Sequence, residues 1–304
     1  MDIYLPIAGL SVNILIIIGL GGVVGILSGM FGVGGGFLVT PLLIFYGIPP
    51  SVAVASSATQ ITGTSVSGVL AYLQRGAVDV RMGLVLVAGG ILGSVSGGFI
   101  FRWLQKGGQI DTVVALLYVL LLGTIGGFMA KEALQTILAS RRGEQLPFQR
   151  RRHHPAVAAL PMRWRFYRSG LYISPLAPFG LGLVSGMLTV LLGVGGGFFV
   201  VPVMIYVLGM ATSMVVGTSL FQILFVTAAT TLVHAVTTKS VDIVLAVLLL
   251  IGSVTGAQLG ARIAARMSPE WLRLMLASIV LLVALRMALG LGWRPDEIYS
   301  VQLG

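Results

Sequence analysis

Charged positions are so sparse along the 304 residues that segments free of charge run over 3–30, 31–74, 82–101, 112–130, 169–238, 243–261 and 274–285. About 20 apolar residues carry a helix across about 30 Å of hydrocarbon, so these runs predict a chain that crosses a bilayer many times. Turn residues and charges divide them into helices near 12–31, 36–47, 51–73, 82–102 and 111–139, then 172–192, 197–209, 211–237, 240–264 and 270–292. The expected fold is an all-α polytopic membrane protein of eight to ten transmembrane segments. The second helix of each set, about 12 residues long, is short for a span and reads as a half-helix or re-entrant piece.

The two sets of five share one design. Gly32-Val33-Gly34-Gly35-Gly36-Phe37 recurs as Gly193-Val194-Gly195-Gly196-Gly197-Phe198, and each copy is followed by a proline, Pro41 or Pro202. Ser28-Gly29-Met30 answers Ser185-Gly186-Met187, and Val78-Asp79-Val80 answers Val241-Asp242-Ile243. Ser56-Ser57-Ala58-Thr59-Gln60 answers Thr218-Ser219-Leu220-Phe221-Gln222, and Gly93-Ser94-Val95-Ser96-Gly97 answers Gly252-Ser253-Val254-Thr255-Gly256. Such order marks an internal duplication over about 14–139 and 172–292. An odd number of crossings in each half gives the halves opposite topology, as in many secondary transporters. The chain divides into a first repeat at 1–139, a linker at 140–170 and a second repeat at 171–304.

Composition agrees with this reading, because 57% of residues are hydrophobic and 9% charged. A soluble domain of that size has too few charges here to cover its apolar surface. The net charge of +10 is concentrated: Lys131, Arg141, Arg142, Arg150, Arg151, Arg152, Arg163, Arg165 and Arg168 stand against only Glu132 and Glu144 between 131 and 168. A basic loop between two apolar bundles reads as cytoplasmic and as a contact for anionic lipid heads, not for nucleic acid. Arg75, Arg81, Arg262, Arg266 and Arg273 then fall on the same face and both termini lie on the periplasmic one, with Arg102 and Lys106 as exceptions. With no cysteine in the chain, thiolate metal sites and cysteine nucleophiles are excluded.

Four glycines in five positions weaken a helix by about 1 kcal/mol each relative to alanine, which close packing alone rarely requires. Gly93 with Gly97 and Gly252 with Gly256 fit that packing role. The runs Gly32, Gly34, Gly35, Gly36 and Gly193, Gly195, Gly196, Gly197 instead expose backbone N–H groups ahead of a short helix, an anion site without a fixed charge. Pro41 and Pro202 are candidate hinges for gating. The motif is not a nucleotide loop: after Gly36, Phe37 and Leu38 stand where a Walker sequence needs Lys and Ser or Thr, and Phe37 stands where a dinucleotide fingerprint from Gly32 needs a third glycine. Ser56, Ser57, Thr59 and Gln60, with Thr218, Ser219 and Gln222, add neutral donors, either as ligand contacts or as interhelical bonds. His234 and Arg286 are the candidates for a proton or charge role. No acid lies near the middle of a predicted span, and no pairing of carboxylates, histidine and nucleophile indicates an enzyme, a metal site or a cofactor.

The doubled Gly-Val-Gly-Gly-Gly-Phe with its proline, the Ala55-Ser56-Ser57-Ala58-Thr59-Gln60 helix and the stretch from Tyr72 to Leu84 resemble the TauE/SafE sulfite exporter family. The resemblance covers the chain apart from the 140–170 linker. It implies a bacterial inner-membrane transporter that moves sulfite or small organosulfur anions outward, with substrate near the glycine runs, Gln60 and Gln222. An anion channel and a proton-coupled permease for another small organic anion are the alternatives. Oligomeric state is left open by the sequence.

Overall fold

The computed structural model describes residues 2–31, 36–141, 161, 163–264, 266–267 and 269–292. Gly32, Gly34 and Gly35, and most of the basic linker, lie outside the described residues. Ten helices are described: α1 (Ile14–Phe31), α2 (Gly36–Phe45), α3 (Pro50–Gln74), α4 (Val80–Lys106), α5 (Ile110–Arg141), α6 (Leu176–Leu192), α7 (Gly197–Tyr206), α8 (Thr212–Thr237), α9 (Ile243–Ala264) and α10 (Pro269–Gly292). All ten correspond to helices expected from the apolar pattern. Of these, α4, α5, α8, α9 and α10 are long and apolar enough to cross a membrane. The protein is all-α in its membrane part and polytopic.

Local chemistry explains where the helices begin and end. Pro49 and Pro50 start α3, where a missing N–H costs nothing. Asp79 caps α4 by accepting from the Met82 N–H at 3.2 Å, and Asp242 does the same for α9 through the Leu245 N–H at 3.1 Å. Two short hairpins, β1 (Asp2–Leu5) with β2 (Leu10–Asn13) and β3 (Trp164–Phe166) with β4 (Leu171–Ile173), precede α1 and α6. Each turns on a left-handed glycine, Gly9 at φ 68° and Gly170 at φ 67°. The second carboxylate oxygen of each capping aspartate holds a hairpin: Asp242 accepts from the Ile7 N–H, and Asp79 from the N–H and hydroxyl of Ser169. These hairpins have no counterpart in the sequence reading, because strands of three or four residues carry too little periodicity to stand out.

Packing shows the duplication as a swapped pair. In the first pair α1 lies parallel against α9, and in the second α6 lies parallel against α4, so each repeat's first helix packs on the other repeat's fourth. Glycines make this approach possible. A Cβ at Gly25 would stand 2.4 Å from the Ser253 carbonyl oxygen, one at Gly256 2.2 Å from that of Gly22, and one at Gly93 2.0 Å from that of Leu183. Backbones pack directly, as small residues allow between membrane helices. The antiparallel pairs α3 with α8 and α5 with α10 complete the bundle. Large apolar side chains such as Leu120, Phe128, Leu282 and Leu285 are exposed on α5 and α10, the surface that hydrocarbon covers.

These contacts sort the chain ends onto two faces. The N-terminal hairpin, the starts of α1, α3, α5 and α9 and the end of α10 share one, the terminal face. Starts of α4, α6, α8 and α10 share the other, the linker face, together with the second hairpin. At ten residues each, α2 and α7 are about 15 Å long. Both begin in the interior and return to the face from which their repeat entered, so α1 with α2 and α6 with α7 form broken helical hairpins. Arg75, Arg81, Arg163, Arg165, Arg168, Arg262 and Arg266 lie on the linker face, and Arg102, Lys106, Lys239 and Arg286 lie toward the terminal face.

Candidate functional site

The second glycine run is fully buried and folds as a link between two helix ends. Gly193 terminates α6 at φ 69°, its N–H bonded to the Thr189 carbonyl, and Gly196 caps α7 at φ 74°. A Cβ at Gly193 would also stand 2.7 Å from the Val54 carbonyl oxygen. Both backbone conformation and close approach therefore require glycine there. Tyr118 of α5 donates its hydroxyl to the carbonyl of Leu192, the last residue of α6, which has no partner within its own helix.

The first glycine run is represented by Gly36, at the start of α2. The rings of Phe37 and Phe198 stack with centroids 4.7 Å apart and an interplanar angle of 18°, so the N-terminal ends of α2 and α7 abut. Two short glycine-led helices thus meet in the interior. Pro41 and Pro202, each the sixth residue of its helix, deprive the Phe37 and Phe198 carbonyls of their helical donors. Both half-helices are thus interrupted at matching points.

Gln60 and Gln222 lie next to this junction. A Cβ at Gly195 would touch both Ile61 and Ile223, the residues that follow the two glutamines. The Gln60 amide donates to the Ser253 hydroxyl oxygen at 2.8 Å, and the Gln222 amide donates to that of Ser185 at 2.6 Å. Each serine spends its own O–H on a carbonyl one turn back, Leu250 or Gly182. The glutamines therefore make interhelical bonds, one of the two roles expected for them. Among the described residues each is nonetheless left with a buried carboxamide oxygen that has no hydrogen-bond partner, as is the Ser65 hydroxyl. Buried polar atoms in that state are uncommon and point to an exchangeable occupant, water or ligand.

Beside Gln60 lies a cavity of about 280 Å³, lined by Ser28, Gly29, Gln60, Thr64, Ser65, Ser253 and their neighbours, with Ser67, Tyr72, Val216 and Leu220 toward the linker face. Among the described residues no charged side chain lines it. At the matching place in the second repeat the space is filled: Ser94 and Thr230 hydrogen-bond at 3.1 Å, and Val226 and Val233 lie against Gly90 and Gly98. In the register that aligns the two glutamines, Thr64 corresponds to Val226 and Gly68 to Thr230. Larger or more apolar residues thus stand where the first repeat has space.

Of the candidate site residues from the sequence that are described, Gln60 lines this cavity and the others do not. Ser56 and Thr218 accept from the N–H groups of Asp242 and Asp79, so each braces a capping aspartate of the opposite repeat. Ser57, Thr59 and Ser219 bond backbone carbonyls of their own helices, and Thr59 also meets Thr231. His234 is buried between helices, with Nε2 at the Val190 carbonyl, Nδ1 at Thr238 and its ring edge-on to Phe101. Arg286 is exposed near the terminal face, its guanidinium 5.3 Å from the Phe45 ring centroid. Ser28, Thr64, Ser65 and Ser253 were not named as site residues in advance. Ser28 and Ser253 do belong to the duplicated landmarks, which was the available signal.

Comparison with known proteins matches the model of the family described as Sulfite exporter TauE/SafE over residues 17–287. Among curated relatives, the probable membrane transporter protein YjnA of Bacillus subtilis (strain 168) is 29% identical over 281 residues, covering 91% of this chain and all of that protein. A probable membrane transporter protein of Xylella fastidiosa (strain Temecula1) is 27% identical, covering 93% of this chain and 96% of its own. One from Methanocaldococcus jannaschii is 26% identical, covering 92% and 96%. No solved structure matches the chain. With its apolar spans, doubled glycine-led half-helices and end-to-end likeness to membrane transporters, the chain belongs to the TauE/SafE sulfite exporter family and is a multi-pass membrane transporter.

Proposed function

We propose that the protein exports sulfite or small sulfonate-type anions across the bacterial inner membrane by alternating access between its two repeats. The observation that carries this reading is the cavity at Gln60, with no charged side chain among its described lining residues, which lies beside the junction of two half-helices and reaches toward the linker face at Ser67, Tyr72 and Val216. A monoanion in such a site meets hydroxyl and amide groups, with the positive ends of α2 and α7 nearby. Helix dipoles and neutral donors hold an anion without the cost of separating it from a fixed buried cation. The glycine runs would contribute backbone N–H groups, with Pro41 and Pro202 as the points where the half-helices bend.

The arginine-rich linker face is the cytoplasmic one in this reading, following the positive-inside rule. The cavity is then open to the cytoplasm, and the Gln222 region is its closed counterpart on the periplasmic side. Moving one negative charge out of an inside-negative cell is downhill by about 2.3 kcal/mol per 100 mV. Among the described residues no carboxylate lines the cavity to carry a proton, which favours export driven by the potential over coupled uptake.

Flux of labelled sulfite, a short sulfonate and a matched carboxylate in proteoliposomes, with an imposed potential or pH gradient, tests the reading. Saturable sulfur-anion flux that follows the potential is the expected result. Dependence on the pH gradient alone would replace it with a proton-coupled permease, continuous conduction with a channel, and equal carboxylate flux with a general organic-anion carrier.

A further inference from the structure

A second pocket, remote from Gln60, opens where the β3–β4 hairpin meets the start of α4. Its volume is about 590 Å³ and its lining is Arg81, Leu84, Val85, Arg163, Trp164, Arg165, Phe166, Tyr167 and Tyr172. Among the described lining residues three are arginines and none is acidic. The guanidiniums of Arg81 and Arg165 both approach the ring of Tyr167, at 5.5 and 5.7 Å from its centroid. Two like charges are therefore gathered on one ring with no carboxylate among the lining residues to offset their repulsion. Arg81 also occupies the first turn of α4, where the helix dipole disfavours a cation. An anion seated between the guanidiniums relieves both costs.

The apolar part of the pocket indicates what carries that anion. Trp164, Tyr167 and Tyr172 are 56%, 70% and 58% exposed, the pattern of aromatic side chains at a membrane interface. Leu84 leads from the pocket onto an exposed stripe of α4 formed by Ile91, Leu92 and Val95, which lies along the path of an acyl chain. The β1–β2 hairpin on the terminal face occupies the equivalent place before α1, yet its only charge is Asp2 and no lysine or arginine precedes Arg75. We infer that the pocket at Arg81 and Arg165 binds the phosphodiester headgroup of an anionic phospholipid in the leaflet on the linker face, with these two guanidiniums on the phosphate and a chain along Leu84. Because Asp79 ties this hairpin to the cap of α4 through Ser169, the bound lipid also secures the hairpin beside the α4–α6 pair.

The test is native mass spectrometry of the full chain in neutral detergent, with phosphatidylglycerol and phosphatidylcholine of identical chains added in equal amounts. The wild type should retain phosphatidylglycerol about tenfold better, the size of one charge-assisted contact. Arg165→Gln and the Arg81→Gln/Arg165→Gln pair should lose that preference, whereas Arg102→Gln on the other face should keep it. Melting profiles in the same detergent establish that the variants are folded, and the single variant serves if the double one is not. Unchanged retention in a folded variant overturns the site. Displacement of the lipid by soluble glycerol 3-phosphate overturns the lipid as its source.

Discussion

The two repeats carry the same glutamine but seat it on different serines, Gln60 on Ser253 of the opposite repeat's fourth helix and Gln222 on Ser185 of its own repeat's first, and they surround it differently. Gln60 borders a cavity, and Gln222 sits where the equivalent volume is closed by Val226, Val233 and the Ser94–Thr230 bond. The proposed alternating access calls for such an asymmetry in any single conformation, one half open while the other is shut. Residue size accounts for part of the difference. Thr64 and Gly68 face Val226 and Thr230 across the duplication, so the first repeat forms the roomier site even before any motion.

The strongest way to break the comparison is to destroy the scaffold that both sites share. Gly93→Leu places side-chain atoms where a Cβ alone would stand 2.0 Å from the Leu183 carbonyl oxygen, and is expected to cost more than about 3 kcal/mol. The readout is loss of monodisperse protein on size exclusion. Gly180→Leu, with nothing within 4 Å of its Cβ, should behave as wild type. The next effect comes from making the first repeat resemble the second. Thr64→Val with Gly68→Thr should fill the cavity and lower flux at least about tenfold without changing the melting profile, and undiminished flux would show that this cavity is not on the substrate path.

A smaller effect is expected from the glutamines themselves. Gln60→Ala removes a buried hydrogen bond worth about 1–3 kcal/mol when one partner is left unpaired, so half-saturation should rise roughly tenfold. Gln222→Ala should weaken transport in the same direction, and unchanged kinetics in both would remove the pair from the site. Least of all is expected from Arg286→Gln. Its guanidinium is exposed over Phe45, and such surface changes stay within about 0.5 kcal/mol; a large loss of flux would bring Arg286 into the anion path.

The helices were legible because each depends on a local pattern: a run free of charge, a capping Asp79 or Asp242, a breaking glycine. The hairpins were not, since residues 2–13 and 164–173 offer only short strands around Gly9 and Gly170. The site was legible in part. Repetition singled out Gln60 and Gln222, but what a hydroxyl does depends on a partner far along the chain. Ser253 is 193 positions from Gln60, and Ser56 is 186 from Asp242. Spacing within one helix holds no trace of either pairing, so Ser56 and Thr218 read as site donors although they brace helix starts.

The most direct test of the central claim uses the absence of cysteine from the native chain. Ser67→Cys, on the exposed lining of the first cavity, and Ala229→Cys, its equivalent by repeat register, are labelled with an impermeant maleimide in sealed vesicles of known orientation. The account predicts labelling of Ser67→Cys from the linker face, slowed by substrate, and labelling of Ala229→Cys from the terminal face only during turnover. Reaction of both from one face, or of Ala229→Cys without regard to turnover, would contradict alternating access between the repeats.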